Sequence, residues 1–419
     1  MTRSAPPKVM IVTNTAWNIF NFRAGLVRAL VDEGYDVVAV APPDAFIGRL
    51  EALGCRFVAL PMKGHGTSLF GELALLWRFW RVLRAERPDA YLSYTVKPNT
   101  YGSAMAAALG VKVINNVSGL GTGFLGGRLL ALLVQSFYKL GLLGSKRVFF
   151  QNQDDLDLFV ARRLVRAEQA GLLPGSGIDL QRFAPGVAFE PAPHSYQISV
   201  AHDINVCGED AGHLRFLLLA RLLREKGVVE FVEAARSLKT QFPSARFQLL
   251  GFLDTANPRA ITPAMLESWV NEGVVDYLGS TDDVRPFLAA ADCVVLPSYR
   301  EGTSRALLEA AAMGKPLIVS DVPGCREVVD ANVSGLLCKA KDSHSLAEKM
   351  TEFAKFSLAE RAAMGRAGRR KMEKEYDENF VITAYLTELA THGFQVSPKT
   401  KAENVNSSSC DEVSRLETL

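Results

Sequence analysis

Apolar residues in the first half of the chain fall in short unbroken runs, separated by stretches where they recur every three or four positions. The runs are Lys8–Thr13, Val37–Ala41, Arg56–Leu60, Ala90–Tyr94, Val111–Asn116 and Arg147–Gln151. They are mostly continuous rather than alternating, the pattern of strands buried on both faces of a parallel sheet. The spaced stretches, such as Asn18–Glu33 and Leu69–Glu86, have a helical period. Strand and helix in alternation predict a doubly wound α/β domain. A second series follows, with strands expected at Leu214–Ala220, Arg246–Gly251, Val274–Leu278, Asp292–Pro297 and Pro316–Ser320. Between the two series, residues 171–213 hold Pro174, Gly175, Gly177, Pro185, Pro191 and Pro193 and few periodic apolar positions, and read as a linker. Residues 342–392 read as helices only. The tail 396–419 is polar and Ser-rich, so disorder and an exposed Cys410 are expected there.

Composition narrows the class. A chain of 419 residues suits two or three domains better than one core. With 48% hydrophobic and 22% charged residues it is a globular protein. Lys and Arg number 47 against 45 Asp and Glu, and this balance leaves no electrostatic footprint for duplex nucleic acid. The six cysteines (Cys55, Cys207, Cys293, Cys325, Cys338 and Cys410) show neither C-x-x-C pairs nor zinc spacing, so a reducing compartment is the simpler expectation. The start MTRSAPPKVMIVT has no long apolar core before a cleavage site, and no run of about 18 charge-free apolar residues marks a span.

The most informative stretch runs from Leu296 to Cys325, LPSYREGTSRALLEAAAMGKPLIVSDVPGC. A strand pattern ends in a loop carrying Glu301 and Gly302, and a helical pattern starts near Thr303 and runs to about Met313. Unpaired amides at a helix N-terminus carry partial positive charge and accommodate a phosphate. At the carboxyl end of a strand in an open α/β sheet this is where ligands bind. Glu301 and Glu309 are eight residues apart and flank that position. A carboxylate accepts hydroxyl hydrogen bonds, so two around a phosphate site suit a diphosphate with a polyol at each end, such as a nucleotide sugar. Two glutamates at this spacing are also what an ordinary solvated helix carries. Upstream, Arg221 follows a strand and Lys226–Gly227 precede a helix, so a guanidinium and an ammonium at one strand end could neutralise a diphosphate. A solvated loop would carry the same residues.

Taken together, Arg221, Lys226 and the Glu301-GTSRALL-Glu309 stretch resemble the donor-site signature of glycosyltransferase family 4, retaining enzymes of the GT-B fold. The resemblance covers about residues 8–392 and is nearest to bacterial capsule, O-antigen and lipid-linked glycan N-acetylhexosaminyltransferases. It implies two Rossmann-like doubly wound domains facing across a cleft. These would be an acceptor-binding domain at 1–178, a nucleotide-sugar domain at 179–371, a helix at 372–395 crossing back, and the tail. It implies that Arg221 and Lys226 hold the donor diphosphate together with amides near Gly302, Thr303 and Ser304. Glu301 would bond the transferred sugar and Glu309 the ribose. No cofactor or metal is implied, because Arg and Lys take the metal's part. The implied donor is a UDP-sugar and the implied acceptor a polyprenyl-diphosphate-linked saccharide, used at the inner face of the plasma membrane by a cytoplasmic, peripheral enzyme.

In the first half the loop after the first strand reads Asn14-TAWNIFNF-Arg23, where the family often has a glycine-bearing loop. Asn14, Asn18 and Arg23 are candidates to face the ligand, although Arg23 would equally suit a helix surface. Residues 115–126, NNVSGLGTGFLG, match G-x-G-x-x-G at Gly121–Gly126, after a later strand rather than the first and without a downstream acid for a ribose. The resemblance makes this an acceptor-side loop, with Asn116, Ser118, Gly119 and Gly121 as candidates and His65 as a further one. Asp155-L-Asp157 reads as the acidic start of a helix rather than as a metal motif. Leu69–Arg87 interleaves Trp77 and Trp80 with Arg78, Arg81 and Arg84, and Leu129–Leu143 is strongly apolar; each suits either a sheet-covering helix or a bilayer interface. A nucleotide-sugar epimerase on the same plan, a dehydrogenase and a non-catalytic scaffold are the rival readings.

Overall fold

The computed structural model describes residues 5–62, 69–120, 128–186 and 213–394. The candidates His65 and Gly121, and the tail with Cys410, lie outside the described residues.

The described strands form two parallel sheets. The first contains β1 (Lys8–Val12), β2 (Asp36–Ala41), β3 (Arg56–Ala59), β4 (Ala90–Tyr94), β5 (Lys112–Val117), β6 (Arg147–Phe150) and β7 (Ala170–Leu172), in the order β3-β2-β1-β4-β5-β6-β7. The second contains β8 (Arg215–Leu219), β9 (Arg246–Leu250), β10 (Asp276–Tyr277), β11 (Cys293–Leu296), β12 (Leu317–Ser320) and β13 (Gly335–Cys338), in the order β10-β9-β8-β11-β12-β13. In each sheet the first strand has neighbours from both directions of winding. β1 pairs with β2 from Lys8↔Asp36 and with β4 from Val9↔Ala90. β8 pairs with β9 from Arg215↔Arg246 and with β11 from Cys293↔Phe216. The carboxyl ends on either side of such a switch are the ligand position of an open α/β sheet.

Burial follows the continuous apolar runs. Val9–Val12, Val37–Ala41, Ala90–Tyr94 and Cys293–Leu296 are buried along their whole lengths, which both-face burial in a parallel sheet requires. Two strands escape the sequence pattern. β7 is the edge strand AGL and β13 the edge strand GLLC, each a short apolar stretch carrying a glycine that reads as a turn rather than a strand.

Packing divides the chain into one unit of Met1–Ile114, Gly144–Lys146 and Ala384–Leu419, and a second of Asn115–Leu143 and Arg147–Thr383. This differs from the boundary expected at residue 178. The cause lies in the loops after β5 and β6, which bond to the loop after β11 as described below. In the first unit, Met10, Val12, Val38, Val40, Phe79, Leu83 and Tyr91 form the core. The C-terminal residues join it: Tyr385 lies 6.0 Å from Tyr94, and the Tyr35 hydroxyl donates to the Phe394 carbonyl. In the second unit one cluster lies around Phe216, Phe231 and Phe247 and another around Leu217, Leu308 and Val319.

Candidate functional site

The site is built at the β8/β11 switch. Beyond β8 the chain passes Arg221 and makes a single 3-10 turn, Arg224–Lys226, closed by Gly227 at φ 72°. A side chain at Gly227 would place its Cβ 2.1 Å from the Pro297 carbonyl oxygen, so only glycine lets this turn approach the end of β11. The two loops are then tied by main-chain chemistry. The Glu225 carbonyl accepts from the Tyr299 amide at 2.9 Å and from the Ser298 hydroxyl at 3.0 Å. The result is that Lys226 Nζ lies 2.5 Å from Glu301 Oε1, with 19% and 12% of the two side chains exposed. Two of the residues singled out in the sequence, 75 positions apart, therefore form one ion pair at the switch point. Arg221 is exposed and, among the described residues, forms no ion pair.

The loop that carries Glu301 is held backbone to backbone. Gly302 would bring a Cβ within 2.1 Å of the Ser118 carbonyl oxygen. Gly119 would bring one within 3.2 Å of the Gly302 nitrogen, and Gly324, at φ 80°, within 2.3 Å of the Gly302 oxygen. Asn152 Nδ2 donates to the Gly302 carbonyl at 2.7 Å, and the Thr303 hydroxyl donates to the Gln151 carbonyl at 2.8 Å.

Two of the three amides of the expected cradle at Gly302–Ser304 are engaged elsewhere. The Thr303 amide donates to Gln151 Oε1 at 3.2 Å and the Ser304 amide to the Gly324 carbonyl at 3.1 Å, so both are already committed. The helix that follows is Arg305–Ala312, and its N-cap Ser304 makes no side-chain cap bond. The donors suited to a phosphate are thus the Gly302 amide and the first-turn amides of that helix, further along the chain.

Glu309 lies on the same helix. Its Oε1 accepts from Arg305 Nε at 2.9 Å, with both side chains 13% exposed. Burial pushes its carboxyl above the ordinary range, and Arg305 and Arg182 pull against that rise. Around it stands a set of residues that the sequence reading missed. Arg305 also donates to the Gly177 carbonyl at 2.6 Å and to Ser176 Oγ at 3.3 Å. Arg285 grips Asp283 with a fork, at 2.8 and 2.6 Å. Arg182 has its guanidinium weakened by burial and by Arg285. The spacing of Arg305 and Glu309, four apart on a helix, was a readable signal. The approach of Arg182 and Asp283 left none, because 101 residues separate them.

The remaining candidates take other parts. Asn116, expected on an acceptor side, is buried, and its side-chain oxygen accepts from Ser118 Oγ at 3.0 Å and Gln151 Nε2 at 3.1 Å. With Ser118 and Gly119 it braces the loop of Glu301 and Gly302. In the first unit, Asn14 is exposed at the carboxyl end of β1, beside the first sheet's switch. Arg23, by contrast, is buried: it bonds Asn18 Oδ1 at 2.6 Å and stacks 3.7 Å over Tyr94, neither a helix-surface residue nor one open to a ligand. Asp155 lies in the first turn of the helix Gln153–Ala161, capped by Asn152 and paired with Arg300. Among the described residues no group of three or more His, Cys, Asp or Glu could hold a metal ion.

Two family models match this chain. Residues 22–175 match a glycosyl transferase 4-like domain, and 202–371 match glycosyl transferases group 1. The chain is 29% identical over 391 residues to an N,N'-diacetylbacillosaminyl-diphospho-undecaprenol alpha-1,3-N-acetylgalactosaminyltransferase of Campylobacter jejuni, covering 90% of this chain and 97% of that protein. Among solved structures it is similar to a sucrose-phosphate synthase of Thermosynechococcus elongatus (TM-score 0.72, 19% identity, 94% of this chain and 100% of that one). It is also similar to Anabaena HepE in complex with UDP-glucose (TM-score 0.70, 17% identity, 92% of this chain and 99% of that one). The fold is that of these GT-B neighbours. Both halves of the chain thus match glycosyltransferase models, one a glycosyl transferase 4-like domain and the other of group 1, and the chain is a glycosyltransferase.

Proposed function

We propose that this glycosyltransferase moves an N-acetylhexosamine from a UDP-sugar, with retention and without a metal, to a polyprenyl-diphosphate-linked saccharide at the inner face of the plasma membrane. The observation that carries the reading is the Lys226–Glu301 pair at the β8/β11 switch, beside the N-terminus of the helix Arg305–Ala312. The activity for which the Campylobacter relative is named, and its alignment along nearly its whole length, support the acceptor class and the N-acetylhexosamine.

The site has the parts the reaction needs. As the glycosidic bond to the diphosphate breaks, negative charge collects on the leaving phosphate. Lys226 and Arg221 meet that charge, and the first-turn helix amides add partial positive charge. Glu301 accepts hydrogen bonds from hydroxyls of the transferred sugar, and Glu309 from the ribose. The leaving oxygen then takes the acceptor's proton on the face it departs from, which preserves the anomeric configuration.

The test is transfer from a panel of UDP-sugars, in the presence of a chelator, to a polyprenyl-diphosphate-linked acceptor, with the product anomer read by NMR. A UDP-N-acetylhexosamine giving an α product is the expected result. Conversion of the UDP-sugar alone, with no acceptor, would instead make the protein an epimerase. Glu301→Ala is expected to lower kcat by about a hundredfold or more, as loss of a group acting on the transition state does. A near-wild-type rate in that variant would remove Glu301 from the mechanism.

A further inference from the structure

The sequence signature places Glu309 but does not say what holds it, and the helix that carries it supplies the answer. Arg305 lies one turn before Glu309 and reaches in two directions. Its Nε donates to Glu309 Oε1 at 2.9 Å, and its NH1 donates to the Gly177 carbonyl at 2.6 Å and to Ser176 Oγ at 3.3 Å. Its guanidinium also lies 5.7 Å from the Phe183 ring centroid.

The far anchor is itself rigid. Gly175, at φ 63°, would bring a Cβ within 2.9 Å of the Thr303 Cβ, and Gly177, at φ 69°, within 2.4 Å of the Glu378 Cα. The Ile178 amide donates to the Tyr376 carbonyl at 2.8 Å. The segment that receives Arg305 therefore has little room to move. Among the described residues Glu309 Oε2 carries no hydrogen bond, so one carboxylate oxygen is engaged and the other is open. Arg182, a few residues beyond Gly177, and Asp283 with its partner Arg285 from the loop after β10 are the other charged groups around it.

We propose that Arg305 is a positioning residue of the nucleotide site. Its guanidinium is fixed on the Ser176–Gly177 backbone, holds Glu309 by one oxygen and aims the other at a hydroxyl of the donor's nucleoside. This rests on the donor-site reading above. A planar fork with two anchors does this, whereas a lysine ammonium, a point charge on a free stem, does so only in part.

The experiment measures UDP binding by calorimetry for the full chain and for Arg305→Met, Arg305→Lys, Glu309→Gln and the double variant Arg305→Met with Glu309→Gln, with thermal midpoints alongside. Loss of a charge-assisted bond that orients a ligand group corresponds to roughly tenfold to a hundredfold in Kd. Arg305→Met is expected to weaken UDP by that factor, Arg305→Lys to recover part of it, and the double variant to bind no worse than Glu309→Gln. Burial already raises the Glu309 carboxyl and Arg305 opposes the rise. Without Arg305 the protonated, donating form gains as pH falls, so UDP affinity of Arg305→Met should drop more steeply than the parent's as pH is lowered. A merely structural arginine would lower the thermal midpoint in every Arg305 variant without the pH effect, and its loss would multiply with that of Glu309→Gln; either result overturns the proposal. A parent protein that binds neither UDP nor a UDP-sugar would overturn the donor site itself and this inference with it.

Discussion

Gly302 does not have a positive φ, so its backbone conformation does not call for glycine; space does, because a Cβ there would lie 2.1 Å from the Ser118 carbonyl oxygen. Gly302→Ala should cost about 2–3 kcal/mol, the scale of overpacking against backbone that cannot retreat. Gly110 is the opposite case, at φ 77° with nothing within 4 Å, and Gly110→Ala should cost only about 1–2 kcal/mol of left-handed strain. Urea denaturation of the pair checks this, and equal costs would refute the packing argument. Asp283 makes a second prediction. Burial would raise its carboxyl, but the hydrogen bonds and charge of Arg285 hold it below its ordinary value of 3.8. Its contribution is therefore present above that value and lost as pH falls through the lower folded one. Asp283→Asn should cost about 1–2 kcal/mol at pH 7 and progressively less in acid. The signature residues themselves were legible, because loop, helix start and strand end each leave a local mark. What Gly302 meets was not, since Ser118 is remote in the chain.

At the scale of elements, the helix Gln153–Ala161 shows how a local rule serves a distant purpose. Asn152 caps it, Oδ1 accepting from the Asp155 amide at 2.8 Å, while Nδ2 of the same side chain donates to the Gly302 carbonyl at 2.7 Å. Asn152→Ser keeps the cap and removes the bridge, whereas Asn152→Ala removes both. We expect Asn152→Ala to lose about 1–2 kcal/mol more than Asn152→Ser in thermal or urea unfolding, and both to weaken donor binding. Identical stabilities would show that the cap contributes nothing. An acidic helix start at Asp155 could be read directly from sequence; the bridge could not, as it spans 150 residues. The strands β7 and β13 were missed for a different reason, since each carries a glycine in its short apolar stretch and only its pairing defines it.

At the scale of the molecule, the two winding series were legible because both-face burial writes continuous apolar runs, whereas the switch points needed the strand order, which only the structure gives. Surface properties were half legible. The helix Leu69–Glu86 leaves Phe70 (84%), Leu73, Trp77 and Trp80 exposed, with Arg81 4.8 Å over Trp77 and Arg84 5.5 Å over Trp80. No described helix is long and apolar enough to cross a membrane. If this face meets anionic lipid, Trp77→Ala with Trp80→Ala should reduce sedimentation with phosphatidylglycerol vesicles about tenfold or more, while leaving donor binding intact; unchanged sedimentation would exclude the face. The Lys226–Glu301 pair has a consequence of another kind. Lys226 already has a counter-ion in Glu301, so a diphosphate bound as proposed would not add itself to bare cations but would take Glu301's place. On the proposed donor reading, binding would then be largely an exchange of one anion for another, with Glu301 handed over to the sugar hydroxyls. Dissolved salt has little to compete for at Lys226 and acts mainly through the exposed Arg221. The donor's dissociation constant should therefore rise with ionic strength more gently than two positive residues would suggest, and Glu301→Gln, which uncovers Lys226, should make that rise steeper.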